Sequence, residues 1–597
     1  MIESWLNNMN SKQVRRGVST FSNSYFFSRI HNYLDLYKYS NAETKQLWDA
    51  LESYDKDGNP LMNVSEAMGT FIYQSGYPIV MMKNNEDNSV TLSQERYFVN
   101  RMELLNSNSP ADNSTWIIPF TYSVYSNATG KPEILEKKSI TLKDENNINL
   151  PRMVNRRDEN GDAKIFVKGN PDQTGFYKVQ YDDHAIQVTC EWLKTDLYFM
   201  PAIDRAGFLT DIASQLFTGR TENPEVILDC MNFLKNEKSN VVWQSAIDVL
   251  KQLLKNFDVD SSYGNVKKFI ASLIQNIAND IGWEELANDG DGDDNNPDQI
   301  NDDDDDDDDD PSIHQNQKDE AQGRKEIKVE VGNDDEKKTI KNELREKNKR
   351  TDSIPTEDNT VHNRSRLRSS ILNLACIVGE PKIKSQALEY FDQIKKGTFS
   401  KDFSEDTLSI IYSTGIRYGN EDDFNYLFEE YKKETGVQRK NMLQDSLATV
   451  TLPFLQEKLF EISISDDIRE QDSNYLLMRL IRNVGTSAAR SCWIFVKEHW
   501  DSYFIDRFPT GMAGFSRLLG TISEYLNNKE LFDEIVEWVN NADGKRTVPS
   551  NSIPLVQRGV EFGRAGNFWL KNEKFGEVVS KWLKENFENK KFIGPDN

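Results

Sequence analysis

The sequence predicts a multidomain α+β protein: a short helical lead, a small antiparallel β-sandwich, and a large all-α solenoid of the HEAT or armadillo type. Three observations predict it. Apolar residues at helical spacing mark residues 1–75, short β-prone runs broken by Asn, Asp, Gly and Pro mark 76–185, and helical spacing returns over 186–597. At 597 residues the chain is too long for one core, and its 37 % hydrophobic content with eleven Trp suffices for several.

In the lead, Ser40, Asn41, Ala42 and Glu43 form a helix-start signal ahead of Leu47, Trp48 and Leu51. The β-prone runs lie at 78–82, 89–92, 116–124 and 163–167, each bounded by turn-forming residues. After about Tyr181, amphipathic segments such as 208–213 and 480–483 follow one another across short polar turns. Many helix pairs in series predict a solenoid, although no clean sequence repeat accompanies them.

Residues 288–362 break this pattern, with nine consecutive aspartates at 302–310 and a mixed Lys/Glu stretch after them. Like charges repel and little apolar surface is available to bury, so a disordered acidic insert is expected. Its simplest role is a solvated loop; an acidic docking segment or a weak calcium buffer is the alternative. About fifteen of the 25 net negative charges fall here, which leaves the remainder mildly acidic. Such a charge balance excludes nucleic-acid binding through a phosphate-neutralising surface.

Metal and nucleophile signals are weak. Asp55, Asp57 and Asn59 with Glu66 imitate a calcium loop, but Pro60 stands where the sharp turn needs Gly. The run from Asp289 has Asp294 at that place and Ile300 at the last ligand position. Cys190, Cys230, Cys376 and Cys492 form no C-x-x-C pair, which supports neither a zinc ribbon nor a redox motif. Sequons begin at Asn63, Asn113, Asn127 and Asn363, and matter only in a secreted chain. There is no run of eighteen apolar residues and no signal-peptide core, so the chain as written reads as soluble, with no membrane segment and no address label.

His31, His184, His314, His362 and His499 are far apart, and no His-Glu-x-x-His occurs. That motif puts two His on one helix face to bind Zn²⁺, with Glu as general base. The chain as written therefore shows no catalytic residue and no metal ligand.

Specific strings carry a family resemblance. Tyr39-Ser40-Asn41-Ala42 with Leu47-Trp48-Asp49-Ala50-Leu51 resembles "Y-x-N-A … D-L-W-x-A-L", and Met68-Gly69-Thr70-Phe71 with Gln74-Ser75-Gly76-Tyr77-Pro78 resembles "M-x-x-W-x-x-Q-x-G-Y-P". Thr91 to Tyr97 is similar to "L-x-Q-x-R-F", and Asn170 to Tyr181 to "N-x-x-x-x-G-Y-Y-R-V-N-Y", with Lys178 in the Arg place. Asp204-Arg205-Ala206, Trp243, Arg469 to Asp472, Asn483-Val484-Gly485, Trp500-Asp501 and Trp582-Leu583 continue in order. These strings resemble the gluzincin zinc aminopeptidases, of the aminopeptidase N and endoplasmic-reticulum aminopeptidase type, over nearly everything but the acidic insert.

The resemblance implies a C-terminal half. Residues 1–75 would be a remnant of the helical catalytic domain, 76–185 the β-sandwich, and 186–597 the helical C-terminal domain. The family's "G-A-M-E-N" loop, its zinc-ligand Glu and its catalytic Tyr have no counterpart in the chain. Met1-Ile2-Glu3-Ser4-Trp5-Leu6 looks like the family's "M-L-x-x-x-L" just after that Tyr, which favours a truncated gene model or a duplicated fragment. The family's helical-domain disulfides are not expected, because Ile383 stands opposite Cys376 and Ser413 opens the second position, so an oxidising compartment is not required.

Two functions follow from the resemblance. One is a non-catalytic C-terminal portion of an aminopeptidase N-like protein, able at most to bind a peptide, the missing catalytic half or a second copy. The other is an incomplete part of an active zinc aminopeptidase that removes N-terminal residues from peptides. Zinc belongs to the full-length relatives, which are often membrane-anchored with a luminal or extracellular catalytic region; no cofactor is expected in this chain. Arg469, Gln471, Asp472 and Asn483 match family positions that could face the peptide chamber, the bland alternative being that they cap or pair helices. Tyr177, Trp243, Trp493 and Trp500 read as packing residues.

Overall fold

The computed structural model describes residues 22–54, 60–85, 89–99, 101, 113–128, 131–143, 146–149, 157–158, 161–162, 164–283, 361–504, 513–540, 552–572 and 574–588. The chain divides into two units, Met1–Trp283 with Arg366–Asn597, and Glu284–Ser365. Of the second unit residues 361–365 are described, and they are helical. The aspartate run at 302–310 and the calcium-like run from Asp289 lie outside the described residues, as do 55–59 of the first calcium-like loop.

The lead holds α1 (Ser22–Tyr37), α2 (Thr44–Leu51), a hairpin of β1 (Ser53–Tyr54) and β2 (Pro60–Met62), and α3 (Val64–Ile72). The start of α2 differs from expectation. Its cap is Glu43, whose side chain takes the N3 amide while Gln46 Oε1 accepts from Glu43 N at 2.7 Å. That is the capping-box logic with a carboxylate in the Ser place. The hairpin was hidden by the resemblance of its loop to a metal site; Glu66, the supposed last ligand, instead pairs with Lys143 at 3.0 Å. Trp48, Leu51, Val64, Ala67, Met68 and Ile117 form a small core of their own.

Two small sheets follow. One orders β10 (Ile165–Gly169), β5 (Ile118–Ser126) and β6 (Glu133–Leu142); the other orders β11 (Lys178–Gln180), β3 (Pro78–Asn84), β4 (Ser89–Arg96) and β7 (Asn146–Asn149). A separate pair joins β8 (Arg157–Asp158) to β9 (Gly161–Asp162). Every residue of β5 is buried, as a strand covered on both faces must be. One pairing corrects the antiparallel expectation: β11 runs parallel to β3, with Lys178 opposite Ile79. β3 and β11 are separated by nearly a hundred residues and the whole of the other sheet, so no hairpin imposes an antiparallel sense on them.

From residue 183 the chain is helical: α4 (Asp183–Thr195), α5 (Ala202–Phe217), α6 (Pro224–Cys230), α7 (Asn240–Phe257), α8 (Tyr263–Ile281), α9 (Val361–Val378), α10 (Pro381–Lys395), α11 (Glu405–Tyr418), α12 (Glu421–Lys433) and α13 (Val437–Leu447). Then come α14 (Pro453–Ser463), α15 (Glu470–Val484), α16 (Thr486–Glu498), α17 (Ala513–Tyr525), α18 (Lys529–Asn540), α19 (Ser552–Leu570) and α20 (Gly576–Phe587). Val361 and His362, the end of the expected insert, already belong to α9. Alternate helices pack together, α5 on α7, α11 on α13, α15 on α17 and α17 on α19.

Trp243, Trp493 and Trp569 are fully buried. Trp569 closes the chain on itself, its Nε1 donating to Leu216 O at 2.6 Å and its ring meeting Phe217 and Phe257. Each such ring buries roughly 150–250 Å², worth several kcal/mol of apolar transfer. Tyr177 is buried against Phe120, and Thr121 N donates to its Oη at 3.2 Å.

A covalent tie corrects the cysteine reading. Cys190 of α4 and Cys230 of α6 form a disulfide across 40 residues, with Cα atoms 5.1 Å apart. Neither partner is one the resemblance singled out. Cys376 and Cys492 are buried free thiols.

Candidate functional site in the helical domain

A cleft of about 380 Å³ is lined by residues of α7, α8, α9, α11, α15 and α17. Its polar wall is contributed by residues up to 276 positions apart, from Asp248 to Glu524, so no local motif could have announced it. Lys255 Nζ reaches Glu524 Oε1 at 2.6 Å and lies 4.3 Å from the Tyr525 ring centroid. That pair joins α7 to α17.

Below it Asp258 caps α16. Its Oδ2 accepts from Thr486 N at 2.7 Å and its Oδ1 from Thr486 Oγ1 at 3.0 Å. Burial raises the Asp258 pKa, and the two bonds from Thr486 oppose that shift. On the opposite wall Arg417, in the last turn of α11, donates from NH1 to Asn483 O at 3.2 Å. Burial lowers its pKa, partly offset by Tyr418 and Tyr263. Asn483 Nδ2 in turn donates to Ala448 O at 3.1 Å.

The four sequence-derived residues do not converge. Arg469 is the N-cap of α15 and its Nε donates to Asp472 at 2.6 Å, while Gln471 is exposed beside them. Asn483 sits at the other end of the same helix, about 20 Å away at 1.5 Å rise per residue. Of the four, Asn483 alone lines the cavity. Lys255, Asp258, Arg417 and Glu524 were missed because each is an ordinary amphipathic-helix residue until the helices pack.

Among the described residues no group of three or more His, Cys, Asp or Glu is placed to hold a metal ion. His31 is exposed 3.7 Å from Asp35, His184 is exposed, and His499 Nδ1 faces Phe495 O at 3.1 Å. His314 lies outside the described residues. Among the described residues, no helix is long and apolar enough to cross a membrane.

Two small sheets lead into a helical domain that carries a polar cavity, and sequence comparison supplies the class. The family model described as "ERAP1-like C-terminal domain" matches residues 166–301 and 332–553. The chain belongs to this family, the C-terminal part of the gluzincin aminopeptidases. Glutamyl aminopeptidase of Bos taurus is 24 % identical over 569 residues, covering 92 % of this chain and 47 % of the relative. Aminopeptidase A of Gloydius brevicauda is 22 % identical over 578 residues, covering 96 % and 49 %. Aminopeptidase N of Canis lupus familiaris is 22 % identical over 581 residues, covering 96 % and 50 %. The chain spans about half the length of these curated relatives.

Proposed function

We propose that this chain is a non-catalytic C-terminal portion of an aminopeptidase N-like protein that docks onto a zinc-bearing catalytic half and contributes a peptide-binding cavity. The observation that carries the reading is the exposed apolar surface among the described residues of the lead. Leu34, Leu36 and Tyr39 are 60 %, 72 % and 103 % exposed, and Ile72 at the end of α3 and Tyr73 just after it are exposed too. A helix with several large apolar side chains in water is a surface awaiting a partner. The chain's coverage of about half of each relative favours the other half as that partner.

In this reading residues 1–75 are the end of a catalytic domain, 76–185 a β-sandwich, and 186–597 a HEAT/armadillo-like solenoid. The stacking of alternate helices supports the last. Peptide binding is supported by the cavity beside Asn483; Arg469, Gln471 and Asp472, paired or exposed at the far end of α15, would serve a peptide only along an extended groove. The alternative reading is that this sequence is part of one longer, active zinc aminopeptidase, and the half-length coverage is what favours it.

The test is to mix the chain with the separately expressed N-terminal half of bovine glutamyl aminopeptidase and follow complex formation by gel filtration. A stable complex that Leu34→Asp with Leu36→Asp weakens at least tenfold supports docking. A chain that stays monomeric beside that half at micromolar concentration removes it, and self-association sensitive to the same changes would assign the surface to a second copy.

A further inference from the structure

The fold sorts the sequons that begin at Asn63, Asn113, Asn127 and Asn363. A glycan leaves from Asn Nδ2, so the side chain has to reach solvent with that nitrogen free, and the bulky sugar has to clear the surface around it. Asn113 meets these conditions. It is exposed in the irregular stretch ahead of β5, and Thr115, which completes its sequon, is exposed too. The main chain holds this stretch in place, Thr115 O accepting from Gln74 Nε2 at 2.8 Å. Asn63 is exposed as the N-cap of α3. Its Oδ1 accepts from Glu66 N at 2.8 Å, which occupies the oxygen and leaves the nitrogen out of the cap.

The other two are held inside the fold. Asn127 is half-buried just after β5, where its N donates to Lys164 O at 3.4 Å and its Oδ1 accepts from Lys164 N at 2.8 Å. Asn363 is half-buried in the first turn of α9.

A second, independent observation concerns the compartment. Cys190 and Cys230 are bridged, and Cys376 and Cys492 are buried, so none of the four cysteines offers an exposed thiol. Disulfides form and persist in oxidising compartments such as the secretory lumen and are rare in the cytosol. A chain oxidised in that lumen also meets the donor of N-linked glycans there.

We infer that Asn113 and Asn63 carry N-linked glycans, added as the chain passes through an oxidising secretory compartment. The donor is a lipid-linked pyrophosphoryl oligosaccharide. Asn Nδ2 attacks its anomeric carbon, and the new C–N bond forms as the C–O bond to pyrophosphate breaks. The lipid pyrophosphate leaves with that electron pair, and one amide proton is released. The assignment does not rest on the docking reading. Asn63 heads α3 and Ile72 ends it, about 14 Å apart at 1.5 Å rise per residue, so glycan and apolar surface take different ends of that helix.

The test begins with the protein isolated from its own source and treated with peptide:N-glycosidase in heavy-oxygen water, which marks each formerly glycosylated Asn by a heavy deamidation. Peptide mass spectrometry should find the mark at Asn113 and Asn63 and leave Asn127 and Asn363 unmarked. The full chain, secreted from insect cells behind a cleavable leader, should lose one glycan in Thr115→Ala and the other in Ser65→Ala, which keeps the Asn63 cap. The double variant should be insensitive to the glycosidase. An unmarked native protein overturns the inference even where the leader-driven chain is glycosylated, because the compartment is then wrong. A mark missing at Asn113 or at Asn63 overturns the assignment of that site, and marks on Asn127 or Asn363 overturn the sorting by exposure. Should a variant fail to leave the cell, the native peptides still decide.

Discussion

Arg205 and Glu237 form a two-pronged ion pair in the interior: Nε meets Oε2 at 2.7 Å and NH2 meets Oε1 at 2.9 Å, with side chains 3 % and 0 % exposed. Arg205 NH1 also donates to Met200 O at 2.7 Å, and Glu237 Oε1 accepts from the backbone of Lys238 and Ser239. The pair thus fixes the start of α5 to the turn before α7. Buried charges are costly to desolvate, and only this full set of bonds makes the pair tolerable.

Breaking it from one side should be severe. Glu237→Ala leaves a guanidinium buried without its carboxylate and should cost about 3–5 kcal/mol of unfolding free energy. Urea denaturation followed by tryptophan fluorescence measures it, with Trp243 as reporter, since its Nε1 donates to Glu237 O at 3.0 Å. A cost under 1 kcal/mol would show that the pair is replaceable by water.

The Cys190–Cys230 bridge closes a loop of 40 residues, for which chain entropy gives roughly 4 kcal/mol of stabilisation, with strain and residual structure usually reducing it. Reduction, or Cys190→Ser, should lower the thermal midpoint by several degrees. Thiol titration of the unfolded, unreduced chain should find two reactive cysteines, not four. Four would remove the bridge, and with it any argument for an oxidising environment.

Asp445 of α13 pairs with Arg479 of α15. Burial raises its pKa to about 6 against the pull of Arg479. The folded state therefore holds this proton more tightly than the unfolded one, where the pKa is near 3.8. Its contribution is fully present below about pH 4 and is lost as pH rises through about 6. Allowing for partial exposure, about 1–2 kcal/mol is at stake. Asp445→Asn should flatten the dependence of the urea midpoint on pH between 4 and 7; an unchanged slope would place the proton elsewhere.

Gly485 links α15 to α16 with φ of 96°, and a Cβ there would sit 2.4 Å from Asp258 Oδ2. Gly485→Ala should cost about 1–3 kcal/mol through backbone strain and displacement of the Asp258 cap. Asp258→Ala should cost about 1–2 kcal/mol and speed hydrogen exchange at the start of α16. Since both act on one contact, the double variant should lose less than the sum. Full additivity would separate the two effects.

Particular elements show how far the sequence carries. β4 was expected from Ser89 and runs Ser89–Arg96, because alternation with β-branched residues is a local property. The start signal at Ser40–Glu43 leaves open which residue caps α2, and the hairpin after Leu51 is masked in sequence because the β1–β2 loop imitates a calcium site. The parallel partner of β11 and the bridge from Cys190 to Cys230 depend on which strands and helices become neighbours, which no local window encodes.

By itself the sequence determined the mainly helical character, the position of the β-rich segment and the family, because periodicity, turn residues and ordered motifs are written along the chain. Tertiary structure decided which polar residues meet. Arg469 and Asp472 pair at one end of α15 while Asn483, at the other, shares a cavity wall with Arg417, Lys255 and Glu524. A charged residue on an amphipathic helix looks solvent-facing in sequence. Whether it finds a carboxylate or a carbonyl is settled by the packing of helices far apart along the chain.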